Sequence, residues 1–206
     1  ISVAAIDLSG HGGSPRKAAP HTLGDYVADV LSAVRASGGK PVLCGHSMGG
    51  AVAAQLALEN PDAIGGLILL GSGARLRVLP AIFDQLAADF AAAVKSFPAF
   101  AFGPAATPEA RQKYVDLMLR ADPAVTIEDF RICDSFDIIP RLGEITLRTL
   151  VIGAEKDNLT PLKYSQFLQS GIPGARLEIL PGAGHISMLE CPALIAPLVR
   201  DFIAMK

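Results

Sequence analysis

Leu43-Cys44-Gly45-His46-Ser47-Met48-Gly49-Gly50 sets a serine in the pattern G-x-S-x-G, at the end of one apolar run and the start of a helical pattern. A chain that turns sharply from strand to helix strains the residue at the turn, and side chains two positions either side would collide. Glycine at 45 and 49 is expected to remove that collision. The turn would also set Ser47 at the positive end of the next helix, with the backbone N–H of Met48 facing any oxyanion formed on a carbonyl under attack. The bare pattern arises by chance in about one chain in ten of this composition, so its position between strand and helix is what gives it weight. His46 is expected to pack beside the turn rather than react.

A serine hydroxyl is a weak nucleophile at neutral pH and needs a base within hydrogen-bond reach, itself oriented by a third group. Four histidines are available. His21 sits in a polar loop before a helix, His11 lies in the Gly-rich stretch after the first apolar run, and His46 adjoins the serine. His185 follows the last apolar run on the turn Pro181-Gly182-Ala183-Gly184, which puts it at the same carboxyl edge of a parallel sheet as Ser47. It is the expected base. Residues 151–161 carry another strand into a loop at that edge and supply Asp157 as the orienting acid, with Glu155 as local competitor. Gly71-Ser72-Gly73, after the third run, offers no carboxylate, and Asp134 and Asp137 read as capping or solvated groups.

Five short apolar runs, at about residues 3–8, 41–44, 64–70, 149–152 and 176–180, read as buried parallel strands. Helical patterns at 22–35, 48–58, 161–169 and 189–205 alternate with them, which predicts an α/β fold, a mostly parallel sheet with helices on both faces. Residues 74–147 break the rhythm and read as an inserted helical cap, leaving 1–73 and 148–206 as the core. Within the insertion Leu79, Phe83, Leu86 and Phe90 share a helical face, residues 108–120 form a second helix, and Thr126 with Asp129 resembles a capping box opening a third. Phe97, Phe100 and Phe102 crowd the connection, as packing or as pocket lining.

Half of the 206 residues are apolar and the formal net charge is -2, with no dense Lys/Arg cluster. Nucleic acid and anionic membranes are therefore not expected partners, and a small-molecule substrate is. Mean hydropathy is +0.40, but every apolar run is interrupted before it could span a bilayer. Nothing in the first residues reads as an export signal. Cys44, Cys133 and Cys191 are odd in number and widely spaced, which argues against disulfides or zinc and for buried small hydrophobes in a reducing cytoplasm. No metal or organic cofactor is called for, and homo-oligomerisation is left open.

Taken together, these segments resemble the α/β-hydrolase superfamily in its helical-cap branch. Asp7-Leu8-Ser9-Gly10-His11-Gly12-Gly13-Ser14 resembles the D-x-x-G-H-G-x-S loop, residues 45–50 resemble the nucleophile elbow, and Asp157 with Thr160-Pro161 and Gly184-His185 resemble the acid and base segments. The resemblance covers nearly the whole chain and implies acyl transfer at Ser47; the composition of the cap suggests an ester of a small, largely apolar acid as substrate. C–C bond hydrolases, thioesterases, lactonases, cofactor-free haloperoxidases and a non-catalytic ligand-binding relative stay open. Epoxide and haloalkane hydrolases are disfavoured because they carry Asp at the position of Ser47. The resemblance also implies strands and an H-G loop ahead of Ile1 that have no counterpart here. One such strand would lie between the runs at 3–8 and 41–44. The expectation is thus an N-terminally incomplete fold: a fragment, or a chain completed by rearrangement or by another chain. It would lack a second oxyanion donor, a loss that typically lowers turnover about 100- to 1,000-fold.

Overall fold

The structure, a computed structural model, describes residues 1–205. In chain order its elements are α1 (Leu23–Ala36), β1 (Val42–His46), α2 (Met48–Glu59), β2 (Gly66–Leu70), α3 (Pro80–Ala88), α4 (Phe90–Ser96), α5 (Pro98–Ala101), α6 (Pro108–Met118) and α7 (Pro123–Ser135). There follow β3 (Thr149–Ala154), α8 (Leu162–Gly171), β4 (Arg176–Leu180), α9 (Ser187–Glu190) and α10 (Pro192–Ala204). The strands form one parallel sheet in the order β1-β2-β3-β4.

β2 and β3 are buried at every residue. A parallel strand covered on both faces has no solvent side, so its sequence is a continuous apolar run instead of an alternation. On one face Leu67, Leu69 and Val151 pack against Tyr26, Val27 and Val34 of α1, the alanines of α2 and Leu168 of α8. On the other, Ile68, Leu70, Leu150 and Ile152 meet Ile195 and Phe202 of α10. Pairing Ile68 with Leu150 and Leu70 with Ile152 keeps each face in register. Among the described residues no helix is long and apolar enough to cross a membrane.

The run at 3–8 is not a strand. Residues 1–8 enter no ladder, and Ile1 and Val3 are 73% and 87% exposed. β-branched residues favour extended backbone, but a strand exists only where a neighbour takes its N–H and C=O groups, and β1 does not pair with this segment. β1 is accordingly an edge strand, and the cysteine expectation also needs correction. Cys44 is exposed on β1, and Cys133 and Cys191 are only partly buried. All three thiols are free.

Between β2 and β3 the regular structure is helical, with a single bridge joining Arg75 to Asp137. Leu79 to Phe90 is not one helical face. Asp89 ends α3 and caps α4, its carboxylate accepting the Ala92 N–H at 2.9 Å, and Leu79 lies before α3, 73% exposed. Leu86 is the buried residue of that set. Thr126 does not open α7 either. Asp122 is the cap, accepting the Ala124 N–H at 2.8 Å, and Pro123 fills the first turn, where its missing N–H costs nothing. Thr126 lies inside the helix, its hydroxyl donating to the Asp122 carbonyl.

α7 is fastened to the loop that precedes α1 by a polar network. Asp129 takes the Tyr26 hydroxyl at 2.6 Å on one oxygen and meets His11 Nε2 at 2.9 Å on the other. Glu128 takes Arg16 Nη2 at 2.6 Å and meets His21 Nδ1 at 3.0 Å. Tyr26 is fully buried, so its hydroxyl bond has no water to replace it. Tyr26→Phe is expected to lower the unfolding free energy by about 1.5–3 kcal/mol, the usual worth of a hydrogen bond to a charged group, as read by urea denaturation.

Candidate active site

Ser47 stands between the last residue of β1 and the first of α2 with φ 52° and ψ -117°. Among the described residues it is the one non-glycine with positive φ. Its N–H donates to the Leu70 carbonyl at 3.0 Å, and its own carbonyl accepts from Gly50 N at 2.9 Å, Ala51 N at 3.2 Å and Ser72 Oγ at 2.9 Å. Bonds on both sides of one residue hold a conformation that the residue alone would leave. Ser72 comes from the Gly71-Ser72-Gly73 turn after β2, noticed in the sequence only for lacking a carboxylate.

The glycines around the turn divide differently from expectation. A Cβ on Gly45 would lie 2.1 Å from the Gly49 carbonyl oxygen, and one on Gly50 would lie 2.6 Å from Ser72 Cβ. A Cβ on Gly49 would meet nothing within 4 Å. The close contact is made by the backbone at 49, not by the space where a side chain would stand. Met48 is the first residue of α2, and an N–H at that position has no intrahelical acceptor.

His185 follows β4 and is buried, as is Asp157 after β3. Asp157 Oδ2 lies 2.9 Å from His185 Nδ1 and also accepts the Thr160 hydroxyl at 2.8 Å; Oδ1 accepts the N–H groups of Leu159 and Thr160, each at 2.8 Å. Burial pushes the Asp157 carboxyl up, but the bonds from His185 and Thr160 together outweigh it and hold the pKa below its ordinary value. An ionised carboxylate requires a donor, so Nδ1 carries the imidazole proton and Nε2 is left as a lone-pair acceptor. Thr160, quoted in the sequence only as part of a motif, thus completes the carboxylate's partners.

His46 does more than pack. Its Nε2 donates to the His185 carbonyl at 2.9 Å, and the two imidazoles are tilted by 50° with centroids 4.6 Å apart. Burial first, and then the neighbouring His185, push the His46 pKa down to about 3, which keeps it neutral although part of the residue remains open to solvent. The residue next to the serine therefore bonds the backbone of the residue expected to act as base. Ser47 Oγ and His185 Nε2 make no direct hydrogen bond here; such bonds often tighten only around a substrate.

Other sequence candidates lie apart from this cluster. Glu155 is exposed, takes the Gly182 N–H at 2.9 Å and pairs with Lys156, not His185. Asp134 accepts the Val78 N–H and Asp137 pairs with Arg75. His11 and His21 belong to the network on α7. Among the described residues no group of three or more His, Cys, Asp or Glu is placed to hold a metal ion.

A parallel sheet with a strained serine after one strand and an aspartate–histidine pair after two others is the architecture of a hydrolase. The chain belongs to the alpha/beta hydrolase family, whose family profile matches residues 1–198, and is a hydrolase of that family. It is 32% identical over 221 residues to a putative carbamate hydrolase RutD of Variovorax paradoxus, covering 98% of this chain and 81% of that protein. It is 30% identical over 217 residues to a pimeloyl-[acyl-carrier protein] methyl ester esterase of Neisseria meningitidis serogroup C, covering 98% and 82%. A solved thermophilic esterase superposes with a TM-score of 0.85 at 36% identity, over 95% of this chain and 78% of that one.

Two predictions follow from the site's geometry. Gly45→Ala is expected to lower the melting temperature sharply, because the Gly49 backbone cannot yield. Gly49→Ala is expected to keep or raise it, since Ala in a helix is favoured over Gly by about 0.5–1 kcal/mol; thermal unfolding of both variants checks this. Because the Asp157 pKa is depressed on folding, its ionisation stabilises the fold above the ordinary value of 3.8 and that contribution disappears as pH falls through the lower folded value. The stability advantage of the native chain over Asp157→Asn should therefore be full at neutral pH and shrink below pH 3.8 in urea titrations.

Proposed function

We propose that the chain is a serine hydrolase that cleaves a small, largely apolar ester through an acyl-enzyme at Ser47. The observation that carries this reading is the 2.9 Å contact of Asp157 Oδ2 with His185 Nδ1, at the sheet rim where His46 bonds His185 from the position beside Ser47. Asp157 keeps the proton on Nδ1 and stabilises the imidazolium formed in the reaction. His185 Nε2 takes the Ser47 hydroxyl proton as Oγ attacks the ester carbonyl, and the Met48 N–H receives the negative oxygen. Collapse of the tetrahedral intermediate expels the alcohol, which takes the proton from His185. Water, deprotonated in turn by His185, attacks the acyl group and frees Ser47 and the acid.

In this reading residues 74–147 act as a cap over a core of 1–73 and 148–206. Phe97 and Phe102 are buried, with Phe97 against Phe100 and Phe130 and Phe102 edge-on to Tyr114, in two apolar clusters whose composition suits an apolar acyl group. The relatives named for ester and carbamate hydrolysis support a carbonyl substrate with a heteroatom leaving group. Three free thiols suit a reducing compartment, and the cytoplasm is where we place the activity.

A fluorophosphonate should label Ser47 stoichiometrically, and Ser47→Ala should lose both the label and at least about 1,000-fold of kcat on a short-chain aryl ester. Undiminished turnover by Ser47→Ala would sink the mechanism. Absence of labelling in a folded native preparation would favour a ligand-binding role.

A further inference from the structure

A side chain that must meet a nucleophile has to be held to within a fraction of an ångström, and His185 stands on a Gly-rich turn, where the backbone alone is not rigid enough. Asp157 fixes the ring from Nδ1. The backbone beneath the ring is held from elsewhere. Glu190, at the end of α9, accepts the Gly184 N–H on both carboxylate oxygens, at 3.0 and 3.1 Å, and the Gly103 N–H on Oε2 at 2.9 Å. Gly184 is the residue before His185, and Gly103 lies just past α5. From the same segment the Ala101 carbonyl accepts the N–H groups of His185 and Ile186 at 2.8 and 3.2 Å.

The two backbones meet without side chains between them. A Cβ on Gly184 would lie 2.3 Å from Gly103 N, and one on Gly103 would lie 2.4 Å from the Gly182 carbonyl oxygen. Both glycines are buried. Two buried N–H dipoles therefore converge on one point, where without an acceptor each would be unsatisfied and would repel the other. A side chain with two acceptor oxygens satisfies both, and Glu190 supplies it.

We propose that Glu190 is a positioning residue for His185: its carboxylate ties the turn that carries the imidazole to the end of α5, so that the placement of the base depends on the seating of the helical segment between β2 and β3. The proposal rests on the acyl-enzyme reading above. Glu190 touches neither substrate nor the imidazole; it acts through the Gly184 peptide. It also makes the base sensitive to α5, since a shift of Ala101 and Gly103 carries the 184–186 backbone with it.

The full chain carrying Glu190→Gln tests this, because glutamine preserves the size but turns an NH2 group toward one of the two donors. A 1 Å misplacement of a catalytic group costs about 100-fold, so kcat on a short-chain aryl ester should fall by about that factor. KM should stay within about threefold, since no group that binds substrate is removed. The downfield proton resonance of His185 Nδ1–H should shift or broaden while thermal unfolding stays cooperative. Glu190→Asp, one methylene short, should recover part of kcat and Glu190→Ala none. Native kcat and an unchanged resonance in folded Glu190→Gln, with Ser47→Ala inactive, would overturn the role of Glu190 and leave the mechanism standing. Activity in Ser47→Ala would instead overturn the mechanism itself. Loss of kcat only in proportion to loss of folded protein, with the resonance intact in the remainder, would also count against the proposal.

Discussion

A non-glycine residue at φ 52° is disfavoured by about 1–3 kcal/mol, and the chain holds Ser47 there with bonds to its own peptide groups. Leu70 of β2 takes its N–H, while the first turn of α2 and the Ser72 hydroxyl supply its carbonyl. The strained turn sets Ser47 at the amino end of α2, beside an N–H with no intrahelical acceptor. Three neighbouring structures must be in place for that to hold: β2 alongside β1, α2 packed on the sheet, and the turn after β2. The buried β2 and β3 serve this end as much as they serve stability.

The remainder of the site is organised by which groups are charged. Asp157 stays ionised because four polar contacts from His185, Leu159 and Thr160 compensate its burial. His46, lacking such compensation, stays neutral and serves as a donor to the His185 carbonyl. Burial thus disfavours the charged form of both groups, and they differ in whether hydrogen bonds to the charged form outweigh it.

The helical segment between β2 and β3 is tied to the rest of the molecule at two places. α7 holds the loop before α1 through Asp129 and Glu128, and the end of α5 holds the turn of His185 through Ala101 and Gly103. Both attachments use backbone or charged groups rather than apolar contact alone. They fix direction as well as proximity, because hydrogen bonds weaken steeply when misaligned.

The sequence by itself made legible the turn at Ser47, the carboxyl-edge positions of Asp157 and His185, and the runs of β2 and β3. An exposed-serine turn needs Gly45 before it, a serine needs a base and a base an acid, and buried parallel strands must be continuously apolar. These requirements act within a few residues or on residue type, so they are readable along the chain. Where the outcome depended on a distant partner, local pattern misled or was silent. Residues 3–8 have strand-like composition but no neighbour to pair with, Thr126 looked like a cap until Asp122 and Pro123 took that place, and Gly50 rather than Gly49 meets Ser72. The hydrogen bonds of His46 and Glu190 were invisible for the same reason. Their partners lie 139 residues away at His185 and 87 residues away at Gly103, and a hydrogen bond is decided by where two groups stand in space, which only the folded chain specifies.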